Sequence, residues 1–213
     1  MRIDAHHSCS ERYPLAHLAS ILARNRFEGS IFAGPLVPTP DMVRGIIVPA
    51  AGWSEDCLSH PKFRAVQVDR IPVLPDRLFD DLARRRIPID VTGVLADVPR
   101  LAACYPDLPI AIDGLGAPPP DAWPRLLESA AQCPMVCCKL SGLAMFPDPR
   151  AAVQFALRLF GPARLMFASD WPNGQPEYTW KATLALFTQS LGAQNIEVRE
   201  QILGGTAARF YGI

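Results

Sequence analysis

Two residues of the sequence have the chemistry of an acid–base pair, although most of the chain separates them. Asp170 follows the apolar run 165–168, and His6 lies in the strand-like run 2–7 near the start of the chain. A carboxylate can accept a proton from water, and an imidazole can donate a hydrogen bond to a carbonyl oxygen as it gains charge. We therefore take His6 and Asp170 as the candidate catalytic pair, provided that the fold brings them together.

Other polar residues lie at equivalent positions, at the carboxyl ends of segments of strand length. In chain order the whole set is His6, His7 and Ser8, Asp69 and Arg70, Asp90 and Thr92, Asp113, Lys139 and Ser141, and Asp170. In a parallel barrel these strand ends converge on one mouth, where the chemistry takes place. This mixture of cations and anions suits hydrolysis of an acyl bond in a small polar or anionic substrate.

Two considerations reduce this set of candidate site residues. An aspartate after a strand often caps the next helix, and for Asp90 and Asp113 a capping role is the favoured interpretation. Successive side chains of a strand point to opposite faces, so only one of His6 and His7 can face the barrel axis.

The elements that must position these residues alternate regularly along the chain. Helical spacing is clearest in 15–25, 74–86, 95–105, 150–160, 178–191 and 198–211, with a further helix that Asp121 caps and short helical turns near 41–44 and after Ser54. The predicted strands are 2–7, 29–33, 46–50, 63–68, 88–91, 108–113, 135–140 and 165–168. Strands that alternate with helices favour parallel pairing and right-handed crossovers. We predict an α/β fold, a compact (β/α)8 TIM barrel that forms a single domain over residues 1–213, with an open doubly wound sheet as the alternative.

The composition of the whole chain limits the classes of partner that the protein is expected to bind. The chain has 21 basic and 21 acidic residues, which gives no long-range attraction to nucleic acid or to an anionic membrane. No apolar run approaches the roughly 20 residues of a membrane span, and the N-terminus lacks the pattern of a signal peptide. The six cysteines include no C-x-x-C pair, which favours reduced, buried thiols and a cytoplasmic location over a disulfide framework or a structural zinc site. We expect a small-molecule substrate and neither nucleic acid nor membrane as a partner.

Four segments of the sequence resemble one family of hydrolases. These are Ile3–His6, Lys139–Leu143, Phe167–Pro172 and Ile202–Tyr211. Together they resemble the amidohydrolase-related TIM-barrel hydrolases (amidohydrolase family 2), in the branch of fuconolactonases and 2-pyrone-4,6-dicarboxylate lactonases. The resemblance covers nearly the whole chain and implies hydrolysis of a lactone or a related acyl bond.

The sequence departs from the family at the positions that hold a metal. The resemblance implies His-x-His at the end of the first strand and Asp-His at the end of the sixth, where this chain has Ser8 and Gly114. A zinc site needs three or four ligands, and His6 with Asp170 supplies two. The degenerate metal motif therefore predicts no resident metal cofactor, with zinc as the alternative.

The resemblance also assigns roles to the remaining candidates. It implies Asp170 as general base on water and His6 as donor to the carbonyl, with Lys139 and Arg70 holding a substrate carboxylate. Ser8, Ser141 and Asp113 would complete the substrate site, and Trp171 would form an apolar wall. The predicted function is a metal-independent, lactonase-type hydrolase of a small carboxylated or sugar-derived substrate.

Two alternatives to this function stay open. One is a catalytically degenerate barrel that binds a ligand or a partner, and the other is a metal-dependent decarboxylase. The short connections between Pro35 and Pro61 would expose an apolar flank, which makes a homodimer one expectation.

Overall fold

Eight parallel strands form the centre of the molecule and pair in sequence order from the first to the last. The structure is a computed structural model that describes residues 1–72, 76–116 and 121–213. The strands are β1 Ile3–His7, β2 Gly29–Ala33, β3 Val43–Pro49, β4 Phe63–Val68, β5 Ile89–Val91, β6 Ile110–Ile112, β7 Val136–Leu140 and β8 Leu165–Phe167.

Backbone hydrogen bonds close the sheet into a barrel. Just beyond β8, the amide of Asp170 donates to the carbonyl of His6 at 3.0 Å, and the amide of Ser8 donates to the carbonyl of Trp171 at 2.7 Å. An open doubly wound sheet reverses its strand order, whereas this one runs without reversal. The predicted (β/α)8 barrel is confirmed.

Helices follow most strands, but within the described residues no α-helix follows β2 or β3, and this shortens the chain. They are α1 Leu15–Arg24, α2 Arg77–Arg85, α3 Val98–Cys104, α4 Trp123–Ala131, α5 Pro149–Phe160, α6 Trp180–Leu191, α7 Ile196–Glu200 and α8 Thr206–Tyr211. Residues 34–42, all of them described, join β2 to β3 without a helix, and only 3₁₀ turns follow β3. The helical turn predicted near 41–44 is wrong, because β3 already begins at Val43.

Helix starts were predicted less well than the helices themselves. Asp121 does not cap α4, which begins after Ala122 without a side-chain cap, and Ser54 makes no side-chain cap bond to the turn after it. Asp76 and Asp148 do cap their helices, by accepting the amides of Leu78 and Ala151. The predicted start of the second long helix, at Leu74, lies outside the described residues.

The predicted C-terminal helix is broken into three parts. A wide helical turn, Gln201–Gly205, separates α7 from α8. A Cβ atom at Gly204 would lie 2.2 Å from the carbonyl oxygen of Met1, so the backbone approaches the start of β1 more closely than any side chain allows. This close approach seats α8 against the N-terminal end of the barrel.

The core has an inner and an outer layer. Alternate residues of the strands, among them Ile3, Ala5 and Cys137, form an inner cluster that also contains Tyr211 of α8. The outer cluster joins the opposite strand faces, Cys138 included, to the helices. Thus Cys137 and Cys138 occupy opposite faces, and all six cysteines are free.

The helices of the described residues are too short or too polar to cross a membrane.

Candidate active site

A register shift in β1 decides which histidine faces the mouth of the barrel. Ile3 and Ala5 belong to the inner layer, and strict alternation would place His7 there too. The register of β1 against β2 shifts between Asp4 and His7. As a result, His6 lines the cavity at the mouth, while His7 is fully buried with Nε2 2.9 Å from Ser30 Oγ. Burial lowers the pKa of His7 to about 3 and keeps this ring neutral.

The turn after β8 presents Asp170 to the same cavity. The backbone of Asp170 has a φ of 55°, a left-handed conformation that aspartate tolerates better than most residues. Its Oδ1 accepts a hydrogen bond from Asn173 Nδ2 at 2.9 Å. Burial raises the pKa of Asp170, and among the described residues no lysine or arginine forms a salt bridge with it. The expected meeting of His6 and Asp170 at one rim is therefore seen in the structure.

Asp4 fixes the turn that carries Asp170. It is fully buried and accepts hydrogen bonds from the amide of Ser169 and from Trp180 Nε1, each at 2.8 Å. Burial raises the pKa of Asp4, against the effect of these donors. Asp4 thus joins β1, the end of β8 and α6 directly beneath the candidate base.

A buried ion cluster lies below the cavity. The ammonium of Lys139, on β7, is fully buried and forms a salt bridge and a hydrogen bond with Asp90 on β5. It lies 2.9 Å from Asp113 Oδ1 and 3.2 Å from His6 Nδ1. Burial alone would lower the pKa of Lys139, but the two carboxylates outweigh burial and raise it, so the side chain stays charged.

The two carboxylates of this cluster differ in their surroundings. Burial raises the pKa of Asp90 to about 6, although Lys139 opposes the change. Burial would also raise the pKa of Asp113, but Lys139 and His6 outweigh it and hold the pKa below its usual value. Thr92 Oγ1 donates to Asp113 Oδ2 at 3.0 Å, whereas Oδ1 faces the Lys139 ammonium at 2.9 Å.

A tyrosine from the far end of the barrel completes the cluster. The hydroxyl of Tyr211 lies 3.0 Å from both oxygens of Asp90, and its ring is 5.6 Å from Lys139 Nζ. Burial raises the pKa of Tyr211 well above the ordinary value, which keeps the hydroxyl protonated as a donor. A continuous contact path therefore runs from α8 through Asp90 and Lys139 to His6.

Two groups lie close to Nδ1 of His6: the Lys139 ammonium at 3.2 Å and Asp113 Oδ1 at 3.4 Å. An ammonium has three donors and no acceptor, so a hydrogen bond to Nδ1 requires the lone pair of that nitrogen. A proton on Nδ1 would face Asp113 Oδ1, whereas a hydrogen bond from Lys139 requires the ring proton on Nε2. In this tautomer His6 can act as a neutral hydrogen-bond donor.

The cavity at the mouth has a volume of about 260 Å³. Four predicted site residues line it: His6, Asp113, Ser141 and Asp170. Its remaining lining comes from Gln67, Thr92, Gly114, Gly142, Met145 and Asn173. The hydroxyl of Ser141 also accepts a hydrogen bond from the amide of Gly114 at 3.1 Å. This bond holds the ends of β6 and β7 together.

The other four predicted substrate-binding residues do not line this cavity. Lys139 lies beneath it, and Arg70 is exposed. Ser8 contributes backbone contacts only: its amide bonds to Trp171, and its carbonyl lies 3.1 Å from His7 Nδ1. Trp171 is 2% exposed and packs edge-on against Tyr13 and His17, on the outer side of the turn.

The sequence interpretation missed two members of the cluster. Asp90 was favoured as a helix cap, yet it lies within β5 between Ile89 and Val91 and is fully buried. A charged residue in the middle of an apolar strand cannot cap a helix. This position in the sequence could have identified Asp90 as a member of the buried cluster. Tyr211 carried no comparable signal, because 121 positions separate it from Asp90.

His6, Asp90 and Asp113 also form the one group of potential metal ligands found among the described residues, with ligand atoms within 4.8 Å of one another. Zinc would need to lie about 2.0–2.2 Å from each ligand atom. The charged Lys139 ammonium contacts the same three side chains, so it competes directly with a cation for this position. The donor set as arranged here does not fit a metal ion while Lys139 stays in place.

Comparison with curated proteins identifies lactonases among the relatives. The chain is 34% identical over 104 residues to an L-fucono-1,5-lactonase of Burkholderia multivorans, which covers 43% of this chain and 35% of that protein. It is 29% identical over 188 residues to the L-fucono-1,5-lactonase of Burkholderia ambifaria, which covers 72% and 62%. The chain spans at most about three-fifths of the length of the curated relatives it matches.

Solved structures show the same fold. A crystal structure of an amidohydrolase from Burkholderia multivorans with bound HEPES superposes with a TM-score of 0.81 at 20% identity, over 100% of this chain and 99% of that one. A second crystal form of that amidohydrolase contains bound zinc and superposes with a TM-score of 0.78 at 21% identity, over 100% and 99%. The profile of the amidohydrolase family matches residues 23–213. This chain belongs to the amidohydrolase family.

Proposed function

We propose that the protein hydrolyses a neutral, sugar-derived lactone without a resident metal, with Asp170 as the general base. The observation that carries this proposal is the pairing of Asp170 with His6 in one cavity: a carboxylate that forms no salt bridge within the described residues, beside an imidazole whose Nδ1 lies 3.2 Å from the Lys139 ammonium. The L-fucono-1,5-lactonase relatives support a sugar lactone as the substrate class.

The reaction needs one water and one proton relay. Asp170 accepts a proton from water as the water oxygen bonds to the lactone carbonyl carbon. His6 Nε2–H donates to the carbonyl oxygen, which gains negative charge in the transition state. The bond from the carbonyl carbon to the ring oxygen then breaks, and the protonated Asp170 returns its proton to that oxygen. The raised pKa of Asp170, which burial causes, makes the carboxylate a stronger base for the first proton transfer.

Lys139 supplies the fixed positive charge of the site from below. Its contact with Nδ1 orients the imidazole and polarises the ring toward donation at Nε2. The ammonium holds the position that a metal ion would need, which supports hydrolysis without a metal and weakens the metal-dependent decarboxylase alternative.

The cavity lining supports the sugar-derived substrate over the carboxylated one. Asp113 and Asp170 face the cavity, whereas neither Arg70 nor Lys139 lines it. An anionic substrate would meet these carboxylates with no lysine or arginine among the described residues that line the cavity. Gln67, Thr92, Ser141 and Asn173 instead offer neutral hydrogen-bonding groups that suit the hydroxyl groups of a sugar lactone.

Lactone hydrolysis by metal-free protein tests this function. We expect turnover of D-glucono-1,5-lactone or a deoxysugar lactone after dialysis against a chelator, and a loss of at least about a hundredfold in kcat for Asp170→Asn. Asp148→Asn, which changes a capping carboxylate at the start of α5, is the control for removal of one negative charge. Turnover that depends on added zinc would contradict the metal-free mechanism, and folded protein without lactone turnover would favour a ligand-binding barrel.

A further inference from the structure

A second cavity adjoins the mouth and opens from the same catalytic carboxylate. It has a volume of about 240 Å³ and shares four lining residues with the first: Gly142, Met145, Asp170 and Asn173. The two cavities are therefore lobes of one cleft, divided at Asp170. We call the second one the apolar lobe, after the residues that line it.

The lining of this lobe differs in chemistry from that of the mouth. Apart from the shared residues it consists of Leu143, Ala144, Ser169, Gly174, Tyr178, Thr183 and Leu186. None of these carries a charge, and Leu143, Tyr178 and Leu186 bring large apolar surfaces. A ligand group that binds here would be stabilised by the burial of its apolar surface, rather than by specific hydrogen bonds.

The edge of the lobe exposes hydrophobic side chains to solvent. Met145 is 58% and Tyr178 is 46% exposed, and both line the lobe. Only seven large hydrophobic side chains within the described parts of the chain are exposed, so two of them at one cleft mark a concentration of apolar surface. Apolar residues grouped at a concave site are typical of a surface that a ligand covers.

We propose that the apolar lobe binds an apolar substituent of the substrate, an alkyl or aryl group attached to the lactone ring. This inference rests on the proposed lactonase function and makes the substrate class narrower. The ring and its polar groups would occupy the mouth, next to His6 and Asp170. The substituent would extend past Asp170 toward α6.

A series of δ-lactones with longer alkyl chains tests the substrate preference. The probes are δ-hexalactone, δ-octalactone and δ-decalactone, which carry methyl, propyl and pentyl groups beside the ring oxygen. We expect kcat/KM to rise about fourfold for each added methylene, until the chain fills the lobe. Values of kcat/KM that stay flat or fall along the series would overturn the inference.

Two variants of α6 distinguish the lobe from a general hydrophobic effect. Thr183 lines the lobe, whereas Ala185 is exposed on the same helix and does not line it. Thr183→Phe should fill the lobe and abolish the gain in kcat/KM from longer chains. Ala185→Phe should leave the whole series unchanged, and an equal effect of both variants would contradict the assignment.

Binding measurements separate this inference from the function on which it rests. The corresponding δ-lactams resist hydrolysis, so calorimetry reports their dissociation constants without turnover. Tighter binding of the longer lactams that Thr183→Phe removes would support the lobe even if no lactone were hydrolysed. Turnover of sugar lactones together with lactam binding independent of chain length would retain the hydrolase and reject the lobe.

Discussion

The ammonium nitrogen of Lys139 lies 3.2 Å from Nδ1 of His6, at the centre of a barrel where a fully buried charge needs compensation. Asp90 and Asp113 provide that compensation, and the same two carboxylates with His6 are the potential metal ligands. The side chain of Lys139 thus competes with any metal ion for the same three partners. This relationship links the tautomer of His6 to the cation requirement of the site.

Removal of the lysine should create affinity for zinc. Lys139→Ala leaves Asp90 and Asp113 buried without their cation, so we expect a loss of about 3–5 kcal/mol in the free energy of unfolding. Zinc should restore part of that stability, because a ligand that binds only the folded state raises the melting temperature. Thermal melts with and without zinc chloride measure the effect. Lys181→Ala, at an exposed lysine of α6, should show neither change, and stoichiometric zinc in the unmodified protein would contradict the competition.

Loss of the hydrogen bond from Asn173 should shift the pH dependence of hydrolysis. A general base works in its ionised form, so activity should rise as pH passes the pKa of Asp170, which burial places above 3.8. The amide of Asn173 stabilises the ionised form, and Asn173→Ala should therefore move the acid limb of the kcat/KM profile to higher pH. Gln175→Ala removes an amide of the same loop that bonds to Tyr178 instead, and it should leave the limb in place. An unchanged limb in Asn173→Ala would mean that another group titrates.

The fold could be predicted from the sequence because the local pattern and the topology agree. Most of the eight strands are short, largely apolar runs, and β2 and β4 were predicted with their observed bounds. Parallel pairing in chain order then requires the strand ends to meet at one mouth, which is why the sequence alone places His6 and Asp170 together.

The candidate site could be predicted only in part, because strand ends do not report contacts in the barrel interior. Lys139 was predicted to bind substrate, yet its side chain is fully buried and paired with Asp90. The one-residue shift in β1 that turns His6 to the mouth also has no signature in the composition of the strand. Such features depend on the packing of several strands at once.

The hydroxyl of Tyr211 should contribute to stability from the opposite end of the barrel. Tyr211→Phe keeps the ring but removes the hydrogen bond to the buried carboxylate of Asp90. An unmatched buried acceptor costs about 1–3 kcal/mol, which urea denaturation can measure. Tyr13→Phe is the control, since the Tyr13 hydroxyl makes no hydrogen bond to residues within the described ranges, and its stability should stay within about 0.5 kcal/mol of the unmodified protein. Equal losses for both variants would place the effect in ring packing rather than in the bond to Asp90.

The buried histidine His7 should make the fold sensitive to acid. Its pKa falls from 6.5 to about 3 on burial, so below pH 6.5 the unfolded chain binds a proton that the folded chain does not. Stability should then decrease as pH falls from 6.5 toward 3, by up to about 1.4 kcal/mol per pH unit from this group alone. His7→Gln keeps a polar partner for Ser30 but cannot titrate, so urea denaturation between pH 7 and 4.5 should show a flatter pH dependence in this variant. His17→Gln, at an exposed histidine, should follow the unmodified protein. Parallel curves for His7→Gln and the unmodified protein would show that carboxylates alone govern acid unfolding.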